Sequence, residues 1–197
     1  DSAEDVSLTD VTAKNNYETN VLIDGEPLTR TVEITNATLK GSETDSGLGI
    51  TASTEGNEVT VTNLTATGND ADGIFLAAAT AEVTRSTLSG NGDAGIDFTA
   101  VSGSASISQS SLINNEDAAV ENQADGVTVD ATGNWWGDPA GPGTEAIIGN
   151  VDTSDPLGSA PGASLLFNPR SVALTPDSQR TLTLSAAGTG DGVAVYE

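Results

Sequence analysis

Apolar residues alternate with polar ones in short segments that recur along the chain. Six segments align on one apolar anchor, each with a second apolar residue two positions earlier, and successive anchors lie about 24 residues apart. The anchors are Leu8, Ile34, Val61, Val83, Ile107 and Val129. Such alternation is typical of a β-strand with one buried face, and its recurrence at a regular period is typical of a solenoid.

A polar turn follows each of the first five anchors at the same distance. Its members are Asn16, Ser42, Asn69, Asn91 and Asn115, and each is preceded by Asn or Gly. Because Asn and Gly tolerate left-handed backbone, these positions predict one recurring corner with a ladder of turn side chains. A second apolar strand position follows the corner, at Val21, Leu48, Ile74, Ile96 and Val120.

The pattern predicts an all-β fold, a right-handed parallel β-helix of about six coils, within residues 1–160. Stacked coils place like residues over like residues, so we expect the six anchors to form one continuous buried row. The right hand follows the general rule for parallel crossovers. No stretch has helical periodicity.

A group of aromatic and turn residues follows the last anchor. The group consists of Asn134, Trp135, Trp136, Gly137 and Pro142. The end of a solenoid leaves a core layer and strand edges open, and two adjacent indoles suit a cover for that opening. We interpret the group as a structural cap, with a sugar-stacking platform as the alternative for the two indoles.

The Asn134-Trp-Trp-Gly137 run, followed by Gly149-Asn-Val-Asp152, resembles the terminus of pectin-lyase-like right-handed β-helix repeats in secreted surface proteins. The resemblance implies a β-helix that ends near residue 160. After a linker at 158–163, residues 164–197 alternate again and resemble the opening strands of cohesin-like or immunoglobulin-like modules. We therefore expect a short C-terminal β segment, a partial sandwich, since a complete one needs about seven strands.

The chain is strongly acidic along its whole length. It carries 29 Asp and Glu against 6 Lys and Arg, a formal net charge of −23. Such a field repels nucleic acid and anionic membrane surfaces, and molar salt screens it. The composition resembles that of proteins from extremely halophilic archaea, and no apolar run is long enough to insert into a membrane.

The sequence predicts no catalytic site, no resident cofactor and no metal site of its own. Cys, Met and His are all absent. The β-helix family that the chain resembles hosts polysaccharide lyases and glycosidases, and Asp10 and Arg85 share one outward column. Acids also gather before the second strand of each coil, at Glu18, Asp45, Asp70, Asp72, Asp93, Glu116 and Asp117. We interpret these as a solvated acidic face, with Ca²⁺ binding as the alternative.

Two sequons, at Asn36 and Asn63, occupy the same place in adjacent coils and are candidate N-glycosylation sites. The tripeptide also arises from the Thr-rich strand pattern itself, and a side-chain ladder between the two asparagines would prevent attachment of a glycan.

These features favour a non-catalytic structural or adhesion module, outside the cell or at its surface, in a halophilic surface protein. Because the pattern begins in mid-strand, we expect it to assemble with other copies or with another cell-surface protein, as a filament or cell coat. The alternative is a polysaccharide-binding or polysaccharide-processing domain.

Overall fold

The computed structural model describes residues 4–25, 29–52, 56–162, 164–168 and 183–187. Its strands, numbered in chain order, are β1 Glu4–Thr9, β2 Thr12–Lys14, β3 Val21–Gly25, β4 Thr29–Lys40, β5 Leu48–Ala52, β6 Glu58–Thr67, β7 Ile74–Ala78, β8 Thr80–Thr84, β9 Thr87–Ser89, β10 Ala94–Val101, β11 Ala105–Ser108, β12 Ser111–Ile113, β13 Ala118–Asn122, β14 Val129–Asp130, β15 Ile147–Ile148, β16 Val151–Asp152, β17 Ser164–Asn168 and β18 Thr183–Ala187. A single turn of 3₁₀ helix spans Thr144–Ala146.

Two parallel sheets face each other across one core. Sheet A runs in the order β1-β4-β6-β8-β11-β14-β16. Three short strands also belong to it: β2 pairs with β4, and β9 pairs with β6 and β12. Sheet B runs in the order β3-β5-β7-β10-β13-β15. Each lap of the backbone adds to both sheets before the chain climbs to the next. The predicted parallel β-helix of about six coils is confirmed.

The predicted stacking of like residues holds through the first five coils. Leu8 lies beside Ile34, Ile34 beside Val61, Val61 beside Val83, and Val83 beside Ile107. In sheet B the row runs Val21, Leu48, Ile74, Ile96, Val120 and then Ile147. Burying such a side chain is worth about 1.5–3 kcal/mol, and the rows form one continuous cluster.

The prediction for the sixth anchor is wrong by two residues. Val129 pairs with Ala105 instead of Ile107, and Asp130 pairs with Ser106. Val127 and Val129 are both apolar and two residues apart, and a strand's side chains alternate with a period of two, so the pattern cannot detect a slip of two residues. Val129 is still fully buried. The sixth coil thus begins later than the sequence indicates.

The described part of the C-terminal region contains one antiparallel pair. β17 and β18 pair with Ser164 opposite Ala187 and Asn168 opposite Thr183. The rest of the predicted module at 164–197 lies outside the described residues. None of the described segments forms a helix long and apolar enough to cross a bilayer.

Candidate functional site

The corner after each sheet A segment uses left-handed backbone, as the turn residues indicate. Positive φ angles occur at Asn15, Gly41, Gly68, Gly90 and Asn114. A second left-handed corner lies between the two strand segments of sheet A, at Asp10, Asn36, Asn63, Arg85 and Gln109. Arg85 and Gln109 are residue types that rarely adopt this conformation, so the stacked corner holds them there.

A ladder of side-chain amides, buried at Asn69 and Asn91 and half-buried at Asn115, joins consecutive coils at the first of these corners. The Asn69 side-chain nitrogen donates to Asn91 Oδ1 at 2.9 Å, and the Asn91 nitrogen donates to Asn115 Oδ1 at 2.9 Å. Each accepting oxygen also receives a backbone N–H from the coil before it. This row therefore has a structural role, because every amide in it both donates and accepts hydrogen bonds.

The upper end of the ladder differs from the predicted column. Asn20 donates to Asn69 Oδ1 at 2.9 Å, while the Ser42 hydroxyl donates to the Glu18 carbonyl at 2.7 Å. Asn16 is exposed and donates to Asn20 Oδ1. Asn20 thus supplies the amide that serine at position 42 lacks.

The two sequon asparagines lie on the second left-handed corner, exposed to solvent. Asn63 Nδ2 donates to Asn36 Oδ1 at 2.8 Å, and Asn36 Nδ2 donates to Asp10 Oδ1 at 3.0 Å. The side-chain nitrogens to which a glycan would be attached are therefore both engaged in hydrogen bonds. Glycosylation at these positions stays a prediction.

Asp10 and Arg85 share a corner of the stack but are not neighbours there. Asp10 belongs to the first coil and Arg85 to the fourth, three steps along the same corner. At the usual strand spacing, three steps separate their backbones by about 14 Å.

The predicted cap residues lie within the sixth coil, between β14 and β15, and β16 pairs with β14 beyond them. Asn134 is fully buried, and its amide bonds to the Ile107 carbonyl, the Ala131 carbonyl and the Ser110 N–H. Trp135 and Trp136 are only 4% and 8% exposed. Indoles buried to this extent offer no free face on which a sugar could stack. Gly137 is exposed at a φ of 92°, and Pro142 is half-buried.

Acidic side chains converge on the outward face of sheet B. This acidic patch consists of Asp72, Asp93, Asp97, Asp117 and Glu121. Burial, and next the nearby Asp97, raise the pKa of Asp72 to about 6, against a hydrogen bond from the Ala94 N–H that lowers it. Burial also raises the pKa of Asp97, and burial with the charge of Asp97 raises that of Glu121.

Asp97 is the most constrained member of the acidic patch, with 5% of its surface exposed. Its Oδ2 accepts hydrogen bonds from Thr99 Oγ1 at 2.8 Å and from Gln123 Nε2 at 3.0 Å. Its Oδ1 is buried and has no hydrogen-bond partner. A buried carboxylate oxygen in this condition costs free energy unless a proton or a cation meets it.

A shallow groove lies beside the acidic patch on the same face. It encloses about 270 Å³, and Leu22, Gly49 and Phe75 are among its lining residues, with Asp45 and Asp72. Gly49 stands between Leu22 and Phe75 in the outward column, and a Cβ there would meet Leu22 Cδ1 at 3.0 Å. The groove therefore combines apolar walls with carboxylates.

The predicted acidic loops contribute only part of this arrangement. Asp72 is buried, and the exposed Asp93 and Asp117 are members of the patch whose charge raises the pKa of Glu121. The other four are exposed and lie outside the patch, namely Glu18, Asp45, Asp70 and Glu116. Sequence reasoning missed Asp97 and Glu121. The available signal was a carboxylate between two inward residues at the same place in adjacent coils, Ile96-Asp-Phe98 and Val120-Glu-Asn122.

The donor atoms of the chain limit which metal ions it can hold. The sequence has no His, Cys or Met, so imidazole, thiolate and thioether ligands are absent. Within the described ranges, no three acidic side chains are placed to hold a metal ion together. The remaining carboxylate and amide oxygens suit hard cations such as Mg²⁺ and Ca²⁺ rather than copper.

Comparison with known proteins places the coils in a family. No curated protein and no solved structure matches the chain. Residues 1–141, more than two thirds of the sequence, match the family described as periplasmic copper-binding protein, NosD. The matched region contains the first five coils and all the cap residues except Pro142. The chain belongs to the NosD family.

Proposed function

We propose that the chain is a non-catalytic structural module that acts in the cell envelope or outside the cell. The family description, periplasmic, supports the location. The observation that carries the proposal is the continuity of the stack: amide ladders and core rows join one coil to the next, which makes a stiff rod. The net charge of −23 suits surroundings of high salt, where it is screened.

The copper-binding role in the family's description does not extend readily to this chain. Copper sites in proteins are built mainly from His, Cys and Met, and the chain has none of the three. We therefore assign no step of its function to copper.

We propose that the first coil attaches the rod to another β-coil, either in a second copy or in another surface protein. In the part of the chain that the structure describes, β1 and β3 have no strand on their outer side. Val6, Leu8 and Val11 of this coil pack against the core but are only partly buried. Unpaired edges of this kind are templates for strand addition.

Assembly between copies is testable by sedimentation and electron microscopy in about 1 M NaCl, where the Debye length is about 3 Å. The expected result is association that grows with protein concentration. Leu8→Lys introduces a charge into the open core layer and should abolish association, whereas Ser7→Lys, on the exposed face of the same strand, should retain it. A monodisperse monomer at every concentration would exclude assembly between copies.

A polysaccharide-binding or polysaccharide-processing domain is the second candidate, and the groove beside Phe75 favours it. The acidic surface repels acidic polysaccharides, so neutral ones are the expected ligands. Asp72, with its pKa raised to about 6, has the property of a general acid. Retention on neutral polysaccharide columns, lost in Phe75→Ala and kept in Thr60→Ala on sheet A, would support this candidate. Turnover lost in Asp72→Asn would support processing.

A further inference from the structure

The asparagine ladder contains the one asparagine of the sequence that is followed directly by glycine. Asn91 precedes Gly92, whereas acidic residues follow Asn69 and Asn115. Because glycine has no Cβ, its backbone nitrogen can approach the side-chain carbonyl carbon of the asparagine before it. An Asn–Gly dipeptide is for this reason the one from which the side-chain amide is lost most readily, and asparagine is a thermolabile residue in general.

The stacked fold requires both residues of this dipeptide. The Asn91 side chain accepts two hydrogen bonds from Asn69, one from its N–H and one from its amide, and donates one to Asn115 Oδ1. At the next position, a Cβ on Gly92 would overlap the backbone carbonyl oxygen of Asp70 in the coil before. Neither position can change without loss of a ladder contact or a backbone clash. The reactive dipeptide is therefore a consequence of the stacking.

The same contacts oppose the reaction while the chain is folded. Deamidation begins when the Gly92 nitrogen loses its proton and attacks Asn91 Cγ, and in the fold that N–H donates to the Asn69 carbonyl at 2.9 Å. The Asn91 amide is held at both ends, since Oδ1 accepts from Asn69 and Nδ2 donates to Asn115 Oδ1 and to the Ala66 carbonyl. Only 2% of Asn91 is exposed, which keeps water away from the amide.

We propose that Asn91–Gly92 is a latent deamidation site, unreactive in the stacked corner and reactive when the coils open. On opening, the proton of the Gly92 nitrogen passes to solvent base, and a bond forms between that nitrogen and Asn91 Cγ. The bond from Cγ to Nδ2 breaks, and the amide nitrogen takes up a proton from water and leaves as ammonia. Water then opens the succinimide ring and gives either an aspartyl or an isoaspartyl linkage.

Either product prevents the corner from forming again. A carboxylate at position 91 cannot donate to Asn115 Oδ1 or to the Ala66 carbonyl, and it places a charge at a buried position. The isoaspartyl linkage also lengthens the backbone by one carbon atom and displaces the register of the following strand. Opening of this corner thus becomes permanent once the amide is lost. The inference concerns the ladder alone and does not depend on the proposed function.

The test compares the full chain folded in high salt with the same chain denatured in urea, at equal pH and temperature. Peptide mapping by mass spectrometry measures the conversion of each asparagine to the acid over time. In the denatured chain, Asn91 should convert faster than Asn69 and Asn115. In the folded chain, conversion at Asn91 should be slower by roughly 100-fold or more, because it requires local opening. Equal rates at Asn91 in the two states would overturn the proposal.

A pair of variants tests whether the ladder itself gives the protection. Asn115→Ala removes the acceptor of the Asn91 amide and of the Asn91 N–H, and should raise the rate at Asn91 in the folded chain at least about 10-fold. Asn16→Ala is the matched control, because Asn16 is exposed and bonds to Asn20 at the far end of the ladder. It should leave the rate unchanged. An equal effect of the two substitutions would overturn the role of the ladder.

The unchanged chain gives a further readout, in case Asn115→Ala does not fold. Chain kept in urea for increasing times is returned to high salt, and circular dichroism measures the fraction that refolds. This fraction should fall as conversion at Asn91 rises, and the refolded molecules should retain the amide. Refolded molecules that carry the acid as often as the whole sample does would contradict the proposal.

Discussion

The buried asparagine ladder and the acidic patch are both rows of polar side chains that stack from coil to coil, yet their energetics are opposite. In the ladder, Asn69, Asn91 and Asn115 each present a donor and an acceptor, so one amide satisfies the next. In the acidic patch, Asp97 and Glu121 present acceptors only and repel each other. A solenoid stacks equivalent positions of successive coils directly on one another. Stacking therefore stabilises a row of side chains that can hydrogen-bond to copies of themselves, and it destabilises a row of side chains that repel each other.

The largest expected effect comes from placing a carboxylate in the ladder. Asn91→Asp keeps the shape, but it removes the donor to Asn115 Oδ1 and to the Ala66 carbonyl and places a charge at a site that is 2% exposed. An uncompensated buried charge costs about 3–5 kcal/mol, so the free energy of unfolding at pH 7.5 should fall by that amount. Denaturant titration in high salt measures it.

Asn16→Asp provides the control, because Asn16 is exposed at the end of the same ladder. We expect a change of less than about 0.5 kcal/mol there. Equal effects in the two variants would mean that the buried ladder does not support the stack.

The next effect is a dependence of stability on pH that originates in the acidic patch. The pKa of Asp72 is about 6 in the folded chain and 3.8 in the unfolded one, so the folded state holds more protons between these values. The free energy of unfolding should therefore fall as pH rises from about 4 to 6, by at most about 3 kcal/mol at about 1.4 kcal/mol per pKa unit. The raised pKa values of Asp97 and Glu121 act in the same direction.

Asp72→Asn should remove the contribution of that residue and leave a flatter profile, which denaturant titration between pH 4 and pH 7.5 without divalent ions would detect. An amide oxygen can still accept the Ala94 N–H, so the local backbone should be retained. A profile that rises with pH in this window, or that the substitution does not alter, would contradict the account of the patch.

The smallest effect tests the same contrast at an exposed position. Asn63→Asp removes the donor to Asn36 Oδ1 and brings a carboxylate next to it, while Asp tolerates the left-handed backbone nearly as well as Asn. Because water solvates this corner, we expect a loss of about 0.5–1 kcal/mol, decreasing as salt is added. A loss as large as that of Asn91→Asp would mean that burial does not set the difference between the rows.

Much of the fold was predictable because the stacking repeats its own pattern. The five anchors from Leu8 to Ile107, the second-strand row and the left-handed turn at Gly68 and Gly90 follow from period-two alternation and backbone tolerance alone. Val129 did not follow, since a slip of two residues leaves the alternation unchanged. Asn20 did not either, because its amide reaches the ladder from a neighbouring loop.

The acidic patch was only partly predictable. The sequence indicates Asp72 only as one of several loop acids, and nothing in it distinguishes this buried acid from an exposed one such as Asp70. The burial of Asp97 depends on side chains from other coils, among them Gln123, whose amide reaches it across 26 positions of sequence. Partners at that separation are fixed by the register of the stack, which only the structure provides.

The register of the coils is tested most directly by disulfide trapping, which is clean in a chain without natural cysteine. Thr60 and Glu82 are register partners on the outer face of sheet A, so Thr60→Cys with Glu82→Cys should form a disulfide readily under mild oxidation. Thr62→Cys with Glu82→Cys is displaced by two residues, about 8 Å between Cα atoms, and should not. Efficient trapping of the displaced pair, with none of the aligned pair, would contradict the stacked parallel coils on which every other conclusion rests.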